Sequence, residues 1–276
     1  MNTKKVKWAI STEIFQRPGF PQIDSALQRA GIEYFQSEFN PNTREYADIP
    51  YGTDECVVMY GPIKFIRTKN RGYTPGAYGF KKDTDTSYYM TQLPGDWYFN
   101  EHCIYMPLGM IARNKSMLHD LFGDHIFIRP DSGFKSFTGF DVKLDKLEEE
   151  LSALRQINHP FANEQCLIAK ARPIKCENRF VVCEGQVVTG SQYRWDDVLY
   201  VRNDVLPECQ AVAERVAAAS WQLDTCYTVD VFVCEERGAR IGEFNSFASS
   251  GLYNCDTDAI VATVSRSALK EWNNDI

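Results

Sequence analysis

The chain has 276 residues, of which 44% are hydrophobic and 24% charged, the balance of an ordinary globular protein. Its formal net charge is −7, and acidic and basic residues alternate along the chain. This distribution argues against a general nucleic-acid clamp with a basic face, although it is compatible with a small nucleic-acid substrate held by a local patch. The length allows one large domain or two to three smaller lobes.

Nine cysteines are scattered along the chain, and none stands in a C-x-x-C pair, so the sequence does not predict a zinc site. The odd count favours free thiols over a disulfide framework, and cysteines in apolar strands are expected to pack as small hydrophobic residues. No apolar stretch approaches 18 residues, and the first residues lack the apolar core of a signal peptide. Together these features predict a cytoplasmic protein that does not span a membrane.

The first hundred residues predict a small α/β unit. A short helix is expected over Ile23 to Ala30, and a buried strand over 55–60 ends at Gly61. Residues 69–96 are rich in Gly, Tyr, Asp and Thr, which is typical of irregular surface structure.

The periodicity becomes clearer after residue 106. We predict a helix from Met110 to Leu121, a strand from His125 to Arg129, and a polar loop with two glycines over 130–139. Leucines recur on one face between residues 141 and 157, which predicts an amphipathic helix there.

Residues 165–201 predict β structure, including a hairpin whose turn is Glu184-Gly185. A helix follows over 207–221, and strands over 227–233 and 239–244 flank a final turn. This order of elements predicts an α+β protein with antiparallel sheets and a cleft between two sheet-bearing lobes.

The final hairpin is the first candidate site. With its turn placed over 235–238, Asp230 falls opposite Glu243, and Asn245 points to the same face as Glu243. Opposed carboxylates repel each other, and a hard cation such as Mg2+ would relieve that repulsion. The alternative is a solvated face whose acids point into water, and a register slip of one residue would separate the pair.

The loop after Ile128-Arg129-Pro130 is the second candidate. Its segment 132–139 combines two glycines, several hydroxyl groups and Lys135. Glycines let backbone N–H groups approach phosphate oxygens, and cations neutralise them. The loop lacks the Walker pattern, and an ordinary polar connection is the alternative.

The third candidate lies in the central hairpin. Glu177 and Arg179 share one strand face, and Tyr193-Arg194 follow on the partner strand. These side chains would point into whichever cleft that face lines. The alternative is a surface ion pair, which contributes little to stability.

In this order, the segments between about residues 125 and 256 resemble the ATP-grasp superfamily. The strand around Asp230, followed by Gly242-Glu243-Phe244-Asn245-Ser246 and Ser250-Gly251, is similar to that family's hairpin with its E-x-N metal motif. The stretch from Glu177 to Arg194 is similar to the D-x-R-x-x-V segment of glutathione synthetases and ribosomal-protein glutamate ligases.

The segment 127–139 is most similar to a little-characterised ATP-grasp clade of phages and bacteria, marked by an arginine and a lysine at these places. Arg129 stands where the better-known enzymes usually carry the lysine of V-K-P, which keeps the charge but alters its hydrogen-bond geometry. The segment Trp97-Tyr98-Phe99-Asn100 also resembles that clade.

The resemblance implies an ATP-grasp fold with ATP held between two lobes. It implies an N-terminal α/β domain over 1–105, a small lobe over 106–164, and a large lobe with the metal site over 165–276. It also implies a set of residues that bind ATP: Arg129, Lys135, Ile168, Ala169, Lys170, Glu177 and Arg179. Within this set, segment 168–171 would be the hinge that contacts adenine.

The resemblance further implies that Asp230, Glu243 and Asn245 bind Mg2+, and that Arg179, Arg194 and Lys135 act in catalysis. The implied reaction joins a small-molecule or peptide carboxylate to an amine or another nucleophile. It would proceed through an acyl-phosphate, release ADP and form a C–N bond. A phosphotransferase on the same fold, or a nucleotide-binding interaction protein without turnover, are the alternatives.

Overall fold

A computed structural model describes residues 5–11, 21–69, 76–79, 82–158, 160–196 and 198–273. Part of the segment predicted to be irregular, residues 70–75 and 80–81, lies outside this set. The strands of the described chain are β1 Lys7–Ser11, β2 Tyr34–Ser37, β3 Phe39–Asn40, β4 Glu45–Tyr46, β5 Val57–Tyr60, β6 Cys103–Pro107, β7 His125–Pro130, β8 Phe140–Lys143, β9 Gln165–Lys170, β10 Cys176–Cys183, β11 Gln186–Trp195, β12 Val198–Arg202, β13 Cys226–Cys234 and β14 Gly238–Ser246.

The α-helices of the same residues are α1 Ile23–Ala30, α2 Ile63–Lys69, α3 Thr86–Tyr89, α4 Leu108–Ile111, α5 Lys115–Phe122, α6 Leu147–Asn158, α7 Pro207–Ala217 and α8 Thr257–Trp272. None of these helices combines the length and the apolarity that crossing a bilayer requires. The predicted α+β class with antiparallel sheets is confirmed.

The first sheet is parallel, with strand order β2-β1-β5. Helices α1 and α8 contact each other, and both contribute buried residues to the core that covers this sheet. In that core the Trp8 indole donates a hydrogen bond of 2.9 Å to Ser265 in α8. Asp256 caps the start of α8 by accepting from two backbone N–H groups, as expected of an N-cap aspartate. The last helix of the described chain therefore packs against its first strand.

The second sheet is antiparallel, with order β6-β9-β7-β8. Its core contains apolar residues of α4, α5 and α6. The helix predicted from residue 141 begins later, because 140–143 pair with β7 as strand β8 and a 3-10 turn precedes α6. Alternating Phe140 and Val142 suit a strand edge, and the leucine stripe alone did not reveal this change of period.

The third sheet is antiparallel, with order β12-β11-β10-β13-β14, and α7 packs on one of its faces. Its other face looks toward the second sheet across a cavity. The predicted lobe boundary at 105/106 falls inside β6, and the one at 164/165 falls directly before β9. Both strands belong to the second sheet, whose strands therefore span residues 103–170.

Two of the nine cysteines are paired, which corrects the expectation of free thiols throughout the chain. Cys183 and Cys226 are opposite each other on β10 and β13, with Cα atoms 4.2 Å apart, and their sulfur atoms form a disulfide. A count of cysteines cannot reveal this pairing because the residues are 43 positions apart in sequence. The other seven are free thiols, and six of those are buried.

The segment around 82–100 is less superficial than its composition suggests. Tyr89 and Tyr98 are almost fully buried, and their rings lie 6.0 Å apart within the core between α7 and the third sheet. The tyrosines that made this segment look irregular are therefore anchors. Their aromatic rings attach it to the face of β13 and β14.

Candidate active site

The final hairpin places Asp230 opposite Glu243, as the sequence predicted. Near the turn the register differs by one residue from the prediction, because Cys234 pairs with Gly238. A bulge at Gly242 then adds one residue to β14, and the ladder reaches the predicted register at Asp230. The pairing of the two acids thus depends on this bulge.

The bulge is closely covered by an aromatic ring. A Cβ atom on Gly242 would lie 2.4 Å from the ring of Phe232, a separation that real side chains do not adopt. Glycine at this position lets Phe232 lie flat against the backbone of β14. Phe232 also lines the cavity, so the bulge shapes its wall.

Asp230 is completely buried and is held by one arginine. Arg179, directly opposite on β10, donates to both carboxylate oxygens at 2.7 Å and to the carbonyl of Gly251 at 3.0 Å. This bidentate geometry is the strong form of an arginine–carboxylate pair. Burial raises the pKa of Asp230 to about 6, although Arg179 opposes the shift. At neutral pH the carboxylate is ionised and the pair is ionic.

Glu243 is held by cations from the second sheet. Arg129 on β7 approaches one carboxylate oxygen at 3.0 Å, and Lys135 approaches the other at 2.9 Å. The Asn245 amide donates to the same oxygen as Lys135, also at 2.9 Å. Burial alone would raise the pKa of Glu243, but Lys135 and Arg129 outweigh it and hold the pKa well below its usual range. Glu243 therefore joins the two lobes through charge.

The loop that carries Lys135 is attached at its base. The Asp131 carboxylate accepts hydrogen bonds of 2.7 Å from the hydroxyl of Thr86 and from both the backbone N–H and the hydroxyl of Ser87. Gly133 packs so closely on Thr84 that a Cβ atom would lie 2.3 Å from its hydroxyl. Lys135 has a φ of 47°, a left-handed conformation that the loop imposes on a non-glycine residue. The loop is thereby held where its lysine reaches Glu243.

The third candidate cluster also forms as predicted on one face. Arg194 lies opposite Glu177 and approaches it at 2.9 Å, and the Tyr193 hydroxyl donates to the same carboxylate. Tyr193 stacks on Tyr253 at 4.4 Å with nearly parallel rings, and Arg179 lies over both rings. The result is a packed wall of rings and guanidinium groups beside Asp230.

A cavity of about 770 Å3 lies between the second and third sheets. Its charged wall includes Arg129, Lys135 and Glu243, and beside them Glu177 and Arg194. Further cations come from the segment after β9, namely Lys170 and Arg172. Aromatic and apolar side chains form another part of the wall: Phe99, Phe127, Phe137, Phe140, Phe232 and Ile174.

The predicted hinge is displaced toward the C-terminus. Ile168 and Ala169 are buried within the second sheet, and Ile168 belongs to its core. The cavity wall is formed instead by Lys170 and the segment 171–174. The sequence patterns also assigned no role to Phe99 and Asn100, which line the cavity. The resemblance of 97–100 to a family segment was the signal that pointed to them.

A family model described as an ATP-grasp domain, the second family of its clade, matches residues 114–263, more than half of the chain. The chain belongs to the ATP-grasp family. The match contains the loop with Lys135, the central hairpin and the final hairpin, so all three candidate clusters lie within the ATP-grasp domain. A comparison with functionally curated proteins finds no significant match.

Solved ATP-grasp structures share the fold over nearly the whole chain. The D-alanine-D-alanine ligase from Coxiella burnetii matches with a TM-score of 0.66 and 9% identity, covering 98% of this chain and 97% of that one. The D-cycloserine synthetase DcsG matches with a TM-score of 0.63 and 12% identity, covering 96% and 99%. The ATP-grasp ligase PsnB, solved with a minimal precursor, matches with a TM-score of 0.55 and 12% identity, covering 94% and 99%.

Magnesium is the metal that the predicted motif implies, and the donor chemistry fits it. Glu243 and Asn245 offer hard oxygen atoms beside the cavity, the ligands that Mg2+ prefers. Asp230 differs, because Arg179 occupies both of its oxygens. Within the described residues no cluster of three or more acidic, histidine or cysteine side chains forms a ready-made metal site. Two carboxylates and one amide are the available set.

Proposed function

We propose that this ATP-grasp protein is an ADP-forming ligase that activates a carboxylate with ATP and joins it to an amine, forming a C–N bond. The observation that carries the proposal is the meeting of Arg129, Lys135 and Glu243 at the wall of a cavity between two sheets. Cations from one lobe and an acid from the other converge where a nucleotide of suitable size fits.

Arg129 and Lys135 would hold the phosphates of ATP. In the nucleotide-free protein both cations are neutralised by Glu243, so the phosphates would replace a carboxylate that is already present. Glu243 and Asn245, with Asp230, would hold Mg2+, which supplies charge neutralisation at the phosphates when bound. The buried site strengthens each of these interactions, because little water screens them.

The reaction needs positioning and positive charge more than covalent help from the protein. A carboxylate oxygen attacks the γ-phosphorus of ATP, and the bond to the β-phosphate oxygen breaks to release ADP. The amine then attacks the acyl carbon, loses a proton, and inorganic phosphate leaves. Arg194 is exposed to the cavity and oriented by Glu177, so it would stabilise the moving phosphoryl group together with Arg179 and Lys135.

The substrates are proposed by class. The ligases with a similar fold include a D-alanine-D-alanine ligase and one solved with a precursor, so amino acids and short peptides are the carboxylates and amines to screen. The cavity wall that surrounds Arg194 also carries Tyr193 and Asp196, which could orient such a substrate. ATP as the second substrate fits the predicted cytoplasmic location.

Titration calorimetry of ATP with Mg2+ tests the nucleotide site. We expect binding in the wild type and a loss of at least tenfold in affinity in Glu243→Ala and Lys135→Ala, since one interaction with a charged group accounts for about that factor. Lys146→Ala is the matched control, because Lys146 is exposed and pairs only with Glu149 in the first turn of α6. No binding in the wild type, or equal binding in all variants, would refute the assignment.

The products distinguish a ligase from a phosphotransferase. Phosphorus NMR of a reaction with a mixture of amino acids should show ADP and inorganic phosphate in equal amounts, together with a new amide in the mass spectrum. A phosphorylated acceptor without inorganic phosphate would instead show a phosphotransferase. ATP binding with no turnover on any acceptor would favour a nucleotide-binding interaction protein.

A further inference from the structure

The segment 98–101 precedes the second sheet in sequence but is attached to the third. Phe99 donates its backbone N–H to the carbonyl of Ile241 at 2.8 Å, and Tyr98 forms a bridge with the same residue. Arg237, in the final turn, donates to the carbonyls of Tyr98 and Phe99 and pairs with Glu101 at 2.7 Å. These bonds fix the segment on the final hairpin, beside the cavity.

Asn100 lies in this fixed segment and lines the cavity. Its side chain belongs to a residue that is only 9% exposed, and its amide oxygen Oδ1 is buried with no hydrogen-bond partner among the residues that the structure describes. A buried acceptor without a donor is costly, so an amide held in this position calls for a ligand that brings an N–H group.

The surroundings of Asn100 suit a flat heteroaromatic ring. Phe99 and Phe232 lie 5.7 Å apart at nearly right angles, and Phe127 and Ile174 line the same cavity. Phe232 lies two residues from Asp230 toward the hairpin turn, so this apolar wall is adjacent to the charged cluster along β13. A nucleotide whose phosphates meet Arg129 and Lys135 would extend its base toward these rings.

We infer that Asn100 selects the nucleobase, with its Oδ1 accepting a hydrogen bond from the exocyclic amine of adenine. The inference rests on the proposed function, since it requires a nucleotide in this cavity. Adenine carries an amine at carbon 6, whereas guanine and hypoxanthine carry a carbonyl oxygen there. Two acceptor oxygens facing each other in a buried site repel, so Asn100 would favour ATP over GTP and ITP.

The test compares ATP with ITP, which differ at this one group of the purine ring apart from the protonation of N1. Titration calorimetry should give the wild type about a tenfold preference for ATP, the factor expected for one hydrogen bond. Asn100→Leu, which keeps the approximate volume and removes the amide, should bind both nucleotides with similar, weak affinity. Asn42→Leu on an exposed turn is the matched control and should retain the preference.

Inorganic tripolyphosphate serves as a probe without a base. Asn100→Leu should bind it as tightly as the wild type does, because the phosphate cations are untouched; weaker binding would mean a collapsed site and would overturn the inference. Equal affinity of the wild type for ATP and ITP, or a preference for ITP, would also overturn it while leaving the nucleotide site intact. If the wild type binds no nucleotide, the proposed function fails as well.

Discussion

Asp230 and Glu243 lie opposite each other in the final hairpin, yet their carboxylates are neutralised by different cations. Asp230 pairs with Arg179 inside the third sheet, whereas Glu243 reaches across the cavity to Arg129 and Lys135. One acid therefore stabilises a lobe and the other connects two lobes. This difference separates the variants that should unfold the protein from those that should impair nucleotide binding.

Arg179→Leu should destabilise the protein by about 3–5 kcal/mol, because it leaves the buried Asp230 carboxylate without its partner. Urea denaturation monitored by tryptophan fluorescence measures the change. The double variant Arg179→Leu/Asp230→Leu should recover much of the loss, since it removes both buried charges, while ATP turnover stays abolished. A single variant as stable as the wild type would show that the pair contributes nothing to folding.

Glu243→Gln should alter the response of stability to acid. Lys135 and Arg129 hold the pKa of Glu243 below its unfolded value of about 4.3, so its charge stabilises the folded protein above that pH. This contribution is lost as the pH falls through the lower folded-state pKa. The wild-type advantage in unfolding free energy, measured in urea between pH 7 and pH 3, should shrink below about pH 4.3. A constant difference across this range would contradict the ionic role of Glu243.

Gly242→Ala should destabilise the protein by about 1–3 kcal/mol, because the added Cβ atom displaces the Phe232 ring. The moved ring should also weaken ATP binding, measured by calorimetry. Gly95→Ala is the matched control, since its Cβ atom would meet no neighbour within 4 Å among the described residues. An unchanged stability in Gly242→Ala would mean that the bulge is not packed as described.

Asp131→Ala should loosen the loop that carries Lys135. The carboxylate accepts three hydrogen bonds from Thr86 and Ser87, so its loss should cost roughly 1–2 kcal/mol and raise amide exchange over 131–139. Hydrogen exchange by mass spectrometry measures this directly. Asp120→Ala, at an exposed position in α5, is the control. Unchanged exchange in the loop would show that Asp131 does not anchor it.

Local sequence patterns predicted much of this protein because they depend on neighbouring residues. Helix α1 has its predicted bounds, and the central and final hairpins form where alternating residues and short turns placed them. The charged residues around Asp230, Arg179 and Arg194 fall on one sheet face for the same reason, since side chains alternate along a strand. The order of these motifs also led to the correct family.

Only the tertiary structure decided which of these groups meet. The register at Asp230 depends on a bulge at Gly242, which a turn count near Gly238 does not reveal. The disulfide between Cys183 and Cys226 and the cross-lobe contacts of Glu243 join residues far apart in sequence. Asn100 reaches the cavity because Arg237 attaches its segment to the final hairpin. Sequence periodicity reports the face on which a side chain lies, whereas its partner across the cavity depends on how separate sheets pack.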